Sequence, residues 1–440
     1  MKTLLKGGRL INPNTQTDAV MDILIEDDVI RAIEPNISIQ DATTVIQLTP
    51  EHWVTPGLVD LHVHFRDPGQ SAKETTGTGS KAAAAGGYTS VCVMPNTQPV
   101  IDNLQTLDYV NNVIQNDAVI NVYPSAAVTK GQIGEELTEM ISLVKRGVVA
   151  FTDDGHCVMN ANIMQLALRY AAMVEVPIIC HAEDTHLSAK GCMNEGYHAT
   201  LLGLPGIPNT AESVIVARDI ELARFTGGRV HFAHISTRES VDLIRRAKAD
   251  GLQITAEVTP HHLVYTDAAL SGYDTDFKMH PPLRAEVDRQ ALINGLLDGT
   301  IDAIASDHAP HTPDEKTLTM DHAPNGTIGL ETSLGVILTH FYQNQLLRPI
   351  EIIQRMSTQP AQCFNLPAGE LAVGMPADIA VIDPNLCWTV DPKRFESKSR
   401  NSCFKGNNLI GKAIATFVAG QNVYADPTFE ALKQTQLMAV

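Results

Sequence analysis

The sequence predicts an α/β fold, a (β/α)8 barrel of the TIM type with a small β-sandwich domain formed from both chain termini. Three observations in the 440 residues predict it. Short apolar runs rich in valine and isoleucine recur with helix-length segments between them, the pattern of a parallel sheet covered on both faces. Alternating apolar and polar residues occur near the two ends of the chain, which is typical of half-exposed strands. Polar residues that can bind metals follow most of the apolar runs.

The two ends of the chain account for the smaller domain. Residues 1–55 contain "DILIEDDVIRAIE" and "TTVIQL", and the same alternation returns near the end in "ADIAVIDP" and "KAIATFVAGQNVYA". Gly420 and Gln421 indicate a hairpin turn within the last of these segments. We therefore predict one composite β domain of antiparallel strands from residues 1–55 and 366–440, and a barrel from residues 56–365.

The central region supplies eight candidate strands. In chain order they are the runs "LVDLHVH", "YTSVCVM", "AVINVYP", "GVVAF", "PIICH", "RVHFAHI", "LQITAEV" and "IDAIAS". Strand counting alone allows an open doubly wound sheet nearly as well as a closed barrel. The polar residues favour the barrel, because the carboxyl ends of all its strands meet at one mouth. These residues are His62 and His64 on the first run, Asn96 after the second, Asp153 and Asp154 after the fourth, His181 on the fifth, His234 on the sixth and Asp307 after the eighth.

Composition excludes several classes of function. The formal net charge of −18 and the pI of about 5.3 repel a phosphate backbone, so we expect no nucleic-acid partner. The start "MKTLLKGGRLINP" has neither a signal peptide nor a membrane span, so we expect a cytoplasmic protein without a membrane partner. The seven cysteines are scattered and never in C-x-x-C spacing, which argues against a disulfide framework and a thiolate zinc site.

The polar residues at the predicted barrel mouth suggest a metal site. His62 and His64 occupy alternate positions of a strand, so both imidazoles can reach one ion. An H-x-H pair alone is a weak signal, and it fits two hydrogen-bonded residues at a strand end as well. Further imidazoles and carboxylates at the same rim suit a first-row divalent metal. The predicted ligands are His62, His64, Asp154, His181, His234 and Asp307.

Neighbouring residues are expected to have simpler roles. Of the adjacent Asp153 and Asp154, one should face the ion while the other anchors its loop. Strand alternation turns Cys180 away from His181, which predicts a buried thiol. The stretch "GTGSKAAAAGG" lacks the spacing of a phosphate loop and should open a barrel helix. The other histidines in or near these motifs are expected to form hydrogen bonds or to lie at the surface: His156, His186, His198, His231, His261, His262 and His308.

The motifs themselves identify a resemblance. "DLHVHFRDPG" and "ASDHAPHTPDEK" resemble the two motifs of dihydroorotases, which are cyclic-amide members of the metal-dependent amidohydrolase superfamily. "FTDDG", "ICHAED", "VHFAHIST", "VTPHHL" and "GMPADIAVID" are similar to that family's other landmarks, in the same order. The resemblance covers essentially the whole chain and is strongest to the long, bacterial type.

The resemblance implies a zinc-dependent barrel that interconverts (S)-dihydroorotate and N-carbamoyl-L-aspartate in de novo pyrimidine (UMP) biosynthesis. By the same resemblance Asp154 bridges two metals, one held by His62, His64 and Asp307 and the other by His181 and His234. Many superfamily members have a carboxylated lysine as the bridge, whereas "AFTDDG" contains no lysine. An aspartate bridge is shorter and could hold the second metal weakly, so one zinc and two zincs both remain possible.

The chemistry of a ring amide agrees with these roles. A bound metal lowers the pKa of water to about 7 and polarises the carbonyl, so that a metal-activated hydroxide attacks the ring amide. Asp307 would take the proton from the water and return it to the leaving ring nitrogen, as general base and then general acid. Arg66 offers a planar fork for the free carboxylate of the substrate, although a surface salt bridge with Asp67 is the alternative. Asn96 and His311 match family positions that also bind the substrate carboxylate.

Two positions depart from the family pattern near the substrate. In "FKMHPPLR" the family usually has asparagine where this chain has His280, at a position associated with substrate contact. A histidine there can still donate a hydrogen bond. In "APNGTIGLE" Asn325 precedes Gly326 where the family often has phenylalanine, so the loop 312–328 is expected to shape substrate contacts differently.

Two other functions remain as alternatives. A hydantoinase-like or allantoinase-like cyclic amidohydrolase is disfavoured because those relatives generally lack an arginine at position 66 and often have the lysine bridge. A non-catalytic scaffold for aspartate transcarbamoylase is disfavoured because all six predicted ligands are present. Scaffolding can coexist with activity, so a transcarbamoylase partner stays open, and we expect a homo-oligomer, a dimer.

Overall fold

The structure is a computed structural model that describes residues 2–435. Its first strands are β1 (Lys2–Asn12), β2 (Thr17–Glu26), β3 (Val29–Glu34), β4 (Thr44–Gln47), β5 (Trp53–Pro56), β6 (Leu58–Val63), β7 (Tyr88–Val93), β8 (Asn121–Pro124) and β9 (Ile178–Cys180). The remaining strands are β10 (Met193–Asn194), β11 (Gly206–Ile207), β12 (Val230–Phe232), β13 (Ile254–Val258), β14 (Ala303–Ile304), β15 (Ile379–Thr389), β16 (Asn408–Val418), β17 (Gln421–Ala425) and β18 (Lys433–Thr435).

The helices occupy the segments between the central strands and continue after β14. They are α1 (Thr76–Ala85), α2 (Leu104–Asp117), α3 (Met140–Val144), α4 (Ala161–Met173), α5 (Thr185–Ser188), α6 (Tyr197–Leu202), α7 (Thr210–Thr226), α8 (Arg238–Ala249), α9 (Pro260–Val264), α10 (Glu286–Asp298), α11 (Pro313–Lys316), α12 (Ser333–Ile337), α13 (Pro349–Ile353), α14 (Gln359–Cys363) and α15 (Pro427–Glu430). Segments Leu338–Tyr342 and Gln354–Thr358 are π-helical. The stretch that resembles a phosphate loop is helix α1, as predicted, and Thr75 caps its start.

Parallel segments form a ring at the centre of the molecule. Strands β6, β7 and β8 form one parallel sheet, and β9, β12, β13 and β14 form another. Isolated parallel bridges connect the two sheets, Val63 with His308 on one side and Phe151 with both Ala126 and Ile178 on the other. Hydrogen bonds therefore link eight parallel segments, and the (β/α)8 prediction is confirmed.

One predicted barrel strand is much shorter than expected. The run "GVVAF" forms no strand of its own, and only Phe151 makes bridges to its neighbours. Gly147, at its start, has a φ of 99°, a conformation that belongs to the turn after α3 and interrupts an extended chain. The chain therefore crosses the ring over only a few residues, and it does so directly before Asp153 and Asp154.

Strands from both ends of the chain form one continuous nine-stranded sheet, which we call the terminal sheet. Its order is β17-β16-β15-β5-β1-β2-β3, with β4 pairing with β1 and β18. The prediction of antiparallel strands is right for most pairs, but β1 pairs in parallel with β4 and β5. The last hairpin turns at Ala419 and Gly420, one residue before the predicted position, because both have positive φ as a two-residue turn requires.

The barrel and the terminal sheet share a hydrophobic core. Trp53 of β5 is fully buried and packs edge-on against Tyr342, with 4.9 Å between the ring centroids. It belongs to the same cluster as the side chains between the barrel strands and their helices. A second cluster lies within the terminal sheet and joins strands from both ends of the chain, such as Ile23 of β2 and Phe417 of β16.

Two further sequence predictions have a direct structural outcome. All seven cysteines are free, and five of them are buried. Cys180 is one of the buried thiols, and its Sγ donates to Asp219 at 3.0 Å. Within residues 2–435, no helix has the length and apolar character needed to cross a membrane.

Candidate metal centre and substrate pocket

Asp154 lies at the centre of the predicted ligands. Its Oδ1 is 3.3 Å from His62 Nε2, 3.7 Å from His181 Nδ1 and 3.9 Å from His234 Nε2. Its Oδ2 is 3.5 Å from His64 Nε2. The structure thus brings together side chains from β6, from the segment after Phe151, and from the ends of β9 and β12. The two carboxylate oxygens face different imidazoles, which is the arrangement that a bridging ligand needs.

Asp307 approaches the same cluster from the last barrel segment. Its Oδ1 lies 3.3 Å from His64 Nε2 and 3.6 Å from His62 Nε2. Asp307 and His234 both have positive φ, 46° and 31° respectively. A left-handed backbone is costly for residues with a side chain, and such strain tends to be retained at functional sites. The two strained residues turn their side chains toward the cluster of predicted ligands.

The donor atoms fit a divalent metal. His62 Nε2 and Asp154 Oδ1 are buried and have no hydrogen-bond partner in the described part of the chain. Leaving such atoms unpaired costs free energy, and a bound cation would remove that cost. Among the described residues, two groups of ligand atoms within this cluster lie close enough to hold an ion, His62 with His64 and Asp307, and His62 with Asp154 and His234. Nitrogen and carboxylate donors without thiolates suit zinc and other first-row divalent metals.

The charges of this cluster are strongly coupled. Burial opposes ionisation of Asp154, but the charge of His62 and the nearby imidazoles of His181 and His234 hold its pKa well below the usual range. Burial lowers the pKa of His64 and of His181. Burial opposes the charge of His62, but Asp154 and Asp307 raise its pKa well above the usual value, so a metal bound at His62 would have to displace its proton. Ionised carboxylates and neutral imidazoles are the forms that bind metals, and the protein environment favours them at Asp154, His64 and His181.

A second layer of residues orients the imidazoles. Glu257 Oε1 accepts from His62 Nδ1 at 2.8 Å, and its Oε2 accepts from His231 Nε2 at 3.0 Å. Burial raises the cost of charge on Glu257, yet the bonds from His231 and His62 lower its pKa to about 2. Asn96 Oδ1 accepts from His64 Nδ1 at 2.9 Å, while Asn96 Nδ2 donates to Asp154 Oδ2 at 3.2 Å. With both Nδ1 atoms protonated, the Nε2 lone pairs face the cluster.

The adjacent aspartates face different partners, as the sequence predicts. Asp153 Oδ1 accepts from Thr129 N at 3.0 Å, and its Oδ2 accepts from the Thr129 hydroxyl. Asp153 therefore anchors the loop after β8, whereas Asp154 faces the imidazoles. Glu257 was missed by the sequence reasoning; the only signal was a single acid inside the apolar run "LQITAEV".

A cavity of about 670 Å³ opens onto the cluster. Arg66 lines it together with His64 and Asp307. The Arg66 side chain is buried, and Nε donates to the Pro310 carbonyl at 3.3 Å. Burial, opposed by nearby carboxylates including Asp307, lowers its pKa to about 10, so the guanidinium keeps its charge at neutral pH. Among residues 2–435, Arg66 forms no salt bridge with Asp67, which was the alternative role. Asp67 Oδ2 instead accepts a hydrogen bond from Thr76 N at 2.8 Å.

The other predicted substrate contacts, Asn96, His280 and His311, line the same cavity. His311 Nε2 donates to the Asn325 carbonyl at 2.8 Å, and its Nδ1 lies 3.3 Å from Lys73 Nζ. Burial and the charges of Arg66 and Lys73 lower the pKa of His311 to about 3, so its ring is neutral. Both ring nitrogens already have protein partners, and the single N–H of the neutral ring is the one at Nε2.

His280 forms a pair with Glu183, another residue that the sequence reasoning missed. The distance from His280 Nε2 to Glu183 Oε2 is 2.7 Å, and the His280 ring stacks on His181 with an interplanar angle of 3°. These three residues also place ligand atoms near one another. Because the two rings are parallel, one ion cannot lie in the plane of both. The geometry therefore favours a hydrogen-bonded wall of the cavity over a further metal site.

Comparison with known proteins identifies the family of this chain. The family model described as Dihydro-orotase-like matches residues 52–240. A dihydroorotase of Pelotomaculum thermopropionicum is 49% identical over 97% of this chain and 99% of its own length. The chain belongs to the dihydroorotase family. Another dihydroorotase, of Citrifermentans bemidjiense, is 47% identical over 96% of this chain and 100% of its own.

Solved structures of hydantoinases and dihydropyrimidinases share the fold. L-Hydantoinase (dihydropyrimidinase) from Arthrobacter aurescens has a TM-score of 0.86 at 25% identity, with 96% of each chain covered. Dihydropyrimidinase from Brevibacillus agri has a TM-score of 0.84 at 23% identity, covering 97% of this chain and 95% of that one. At 23% identity, the similarity to the Brevibacillus agri enzyme shows a shared fold and nothing further. The dihydroorotase relatives, at nearly twice the identity, are the better guide to chemistry.

Proposed function

We propose that this member of the dihydroorotase family interconverts (S)-dihydroorotate and N-carbamoyl-L-aspartate in de novo pyrimidine biosynthesis, with zinc as its metal. The observation that carries the proposal is the shared cavity, in which the buried Arg66 guanidinium opens onto the same space as the candidate metal ligands. Dihydroorotate combines a ring amide with a free carboxylate, so it needs both features at once. A cytoplasmic location agrees with this pathway.

The proposed metal ligands divide into two sets. His62, His64 and Asp307 form one group of close ligand atoms, which supports their assignment to the first metal. His181 Nδ1 and His234 Nε2 lie 3.0 Å apart and both face Asp154, which supports the second metal and the bridge. When bound, zinc supplies Lewis acidity toward a carbonyl and makes a water more acidic.

In this proposal Asp307 is the residue that transfers the proton. Its carboxylate opens onto the cavity and, despite burial, nearby His62 and His64 lower its pKa. Asp307 takes the proton from the attacking water and returns it to the ring nitrogen as the C–N bond breaks. No covalent intermediate with the protein is required.

The substrate carboxylate is held by Arg66. A guanidinium can donate two parallel hydrogen bonds to a carboxylate, and loss of solvent strengthens that pair. Asn96 and His311 line the cavity beside it and share this role. His280, fixed by Glu183 and by stacking on His181, forms the opposite part of the wall.

A substrate assay with an Arg66 series tests the proposal. We expect zinc-loaded protein to hydrolyse dihydroorotate, and Arg66→Ala to raise KM by about 10²-fold or more with unchanged metal content. Arg66→Lys keeps the positive charge but lacks the planar guanidinium. Its KM should therefore lie between those of the wild type and Arg66→Ala. An unchanged KM in Arg66→Ala would rule out the carboxylate grip.

A hydantoinase-like activity is the second candidate, favoured by the structural likeness to L-hydantoinase. Against it stand the buried Arg66 and the aspartate at position 154. Parallel assays with dihydroorotate, hydantoin and allantoin decide between the two, since turnover of hydantoin alone would reverse the assignment. A homodimer and a complex with aspartate transcarbamoylase stay predictions, which gel filtration of the protein with and without that enzyme would test. A scaffold without activity would turn over none of the three ring amides.

A further inference from the structure

A segment of the terminal sheet reaches the mouth of the barrel. Residues 397–403 lie in the connection between β15 and β16, far in sequence from the barrel strands. Ser397, Ser399 and Asn401 are buried there despite their polar side chains. Burial of polar groups is stable only when they are hydrogen-bonded, so the partners of this segment indicate what it holds.

Asn401 contacts both halves of the loop that follows the last barrel strand. Its Nδ2 donates to the Ala309 carbonyl at 3.1 Å and to the Gly326 carbonyl at 3.2 Å, and its Oδ1 accepts from His311 N at 3.1 Å. Its backbone carbonyl accepts from Ile328 N at 2.8 Å. One side chain therefore joins the start and the end of this loop.

The loop held by Asn401 forms one wall of the substrate cavity. Ala309, His311, Asn325 and Gly326 all line that cavity. Gly326 has a φ of 126°, and a Cβ placed on it would lie 2.6 Å from the Ala309 Cβ. The two halves of the loop approach too closely there for any side chain larger than hydrogen. A small change in their separation would move His311 relative to Arg66.

The same segment also holds the loop after the first barrel strand. Glu74 accepts from Lys398 N at 3.0 Å and from the Ser397 hydroxyl. Ser399 Oγ donates to the Lys73 carbonyl at 2.7 Å, and Lys73 Nζ is the partner of His311 Nδ1. The segment thus spans the cavity mouth from the Arg66 side to the His311 side.

We propose that Asn401 is a positioning residue for substrate binding, by which the terminal sheet sets the distance between the two sides of the carboxylate grip. The inference rests on the proposed function and adds a residue to it. Asn401 belongs to none of the sequence motifs of the site. Its loss would leave the buried Ala309 carbonyl and the His311 N–H unpaired, while the Gly326 carbonyl would keep only Lys316 Nζ, and the loop would relax toward solvent. The metal ligands have other supports, so the effect should fall on KM.

Kinetics of Asn401 variants test the proposal. We expect Asn401→Ala to raise KM for dihydroorotate by about tenfold or more, with kcat within about threefold of the wild type and unchanged zinc content. Asn401→Asp keeps the size of the side chain but turns an acceptor toward the two carbonyls, so it should raise KM at least as much. Lys398→Met, in the same segment as Asn401, is the matched control. It removes only the hydrogen bond from Lys398 Nζ to the Ser71 carbonyl.

Gly326→Ala provides a second route if the Asn401 variants fold poorly. It leaves Asn401 intact but separates the same two halves of the loop, so it should give the same rise in KM. If wild-type protein hydrolyses dihydroorotate and the Asn401 and Gly326 variants all keep its KM, or lose kcat and zinc together, the positioning role is wrong. If the wild type does not hydrolyse dihydroorotate at all, the proposed function fails, and this inference with it.

Discussion

Asp307 is the side chain in which metal binding and proton transfer would coincide. Asp307→Asn keeps the shape and one oxygen donor but cannot accept a proton, so we expect a protein that folds normally. Its kcat should fall by about 10²–10⁴-fold, the usual contribution of general acid–base catalysis. Steady-state rates of a sample checked by mass spectrometry for deamidation give the measurement. Rates close to those of the wild type would remove Asp307 from the proton-transfer step.

Glu257 is a residue whose effect should be on the metal rather than on the substrate. Glu257→Gln weakens the charge-assisted bond that fixes the His62 tautomer, so we expect zinc affinity to fall by about 10–100-fold. Competition with a chromophoric chelator measures it. Glu286→Gln, on the exposed side of α10, is the matched control and should bind zinc as the wild type does. Equal affinities in all three proteins would contradict the role of Glu257.

Single residues differ in how far the sequence predicts them. His62 and Asp307 are predictable because they stand at the ends of apolar strands, where a barrel gathers its polar groups. Glu257 and Asn401 are not, because their partners lie far away along the chain and neither residue belongs to a spacing motif. Their roles depend on which side chains face one another in the folded barrel.

Helix α11 begins the loop that borders the cavity, and its last residue gives a pH-dependent prediction. Lys316 Nζ donates to the Pro324 and Gly326 carbonyls at 3.1 and 3.0 Å. Burial, opposed by Asp276 and reinforced by Lys278, lowers the pKa of Lys316 to about 8. Between pH 8 and the usual lysine pKa the unfolded chain therefore binds more protons than the folded one, so the free energy of unfolding should rise with pH.

The Lys316 contribution can be isolated by comparing slopes. It is at most about 1.4 kcal/mol per pH unit, the value for one proton. Urea unfolding of the wild type and of Lys316→Met between about pH 8 and 10 should show a difference in free energy that grows with pH. Lys81→Met, an exposed lysine of α1, should keep the slope of the wild type. Parallel curves for Lys316→Met and the wild type would contradict a lowered pKa.

Elements with a strong apolar pattern are predicted well, and those set by tertiary contacts are not. Strands β6, β7 and β13 coincide with long Val/Ile-rich runs. The run "GVVAF" has the same composition but makes only bridges through Phe151, because a turn at Gly147 leaves few residues to pass through the ring. Composition thus identifies a segment of the barrel without fixing the length of its hydrogen-bonded part.

At the scale of the whole molecule, the shared core should make unfolding cooperative. Trp53→Ala removes a fully buried ring between the terminal sheet and the barrel, so we expect a loss of about 3–5 kcal/mol in the free energy of unfolding. The other tryptophan, Trp388, is only half-buried and gives a matched control with a smaller loss. Denaturant unfolding followed by circular dichroism measures both. A Trp53→Ala loss no larger than that of Trp388→Ala would show that the two parts are not joined through this core.

The sequence predicts the meeting of the two chain ends from their similar strand pattern, but not the way in which they connect to the barrel. We propose residues 1–55 and 366–440 as one structural unit and residues 56–365 as another; residues 1 and 436–440 of the first unit lie outside the described residues. The connection through residues 397–403 and through Trp53 has no periodic signal, because it consists of single buried side chains. Such contacts follow from the assembled fold and cannot be read from local composition.

Asp154 also has a consequence for how the protein matures. A lysine in its place would first have to react with carbon dioxide before it could bridge two ions, whereas the aspartate bridge proposed here is complete as soon as the chain is made. Assembly of this site should therefore need the metal alone and be indifferent to bicarbonate in the medium.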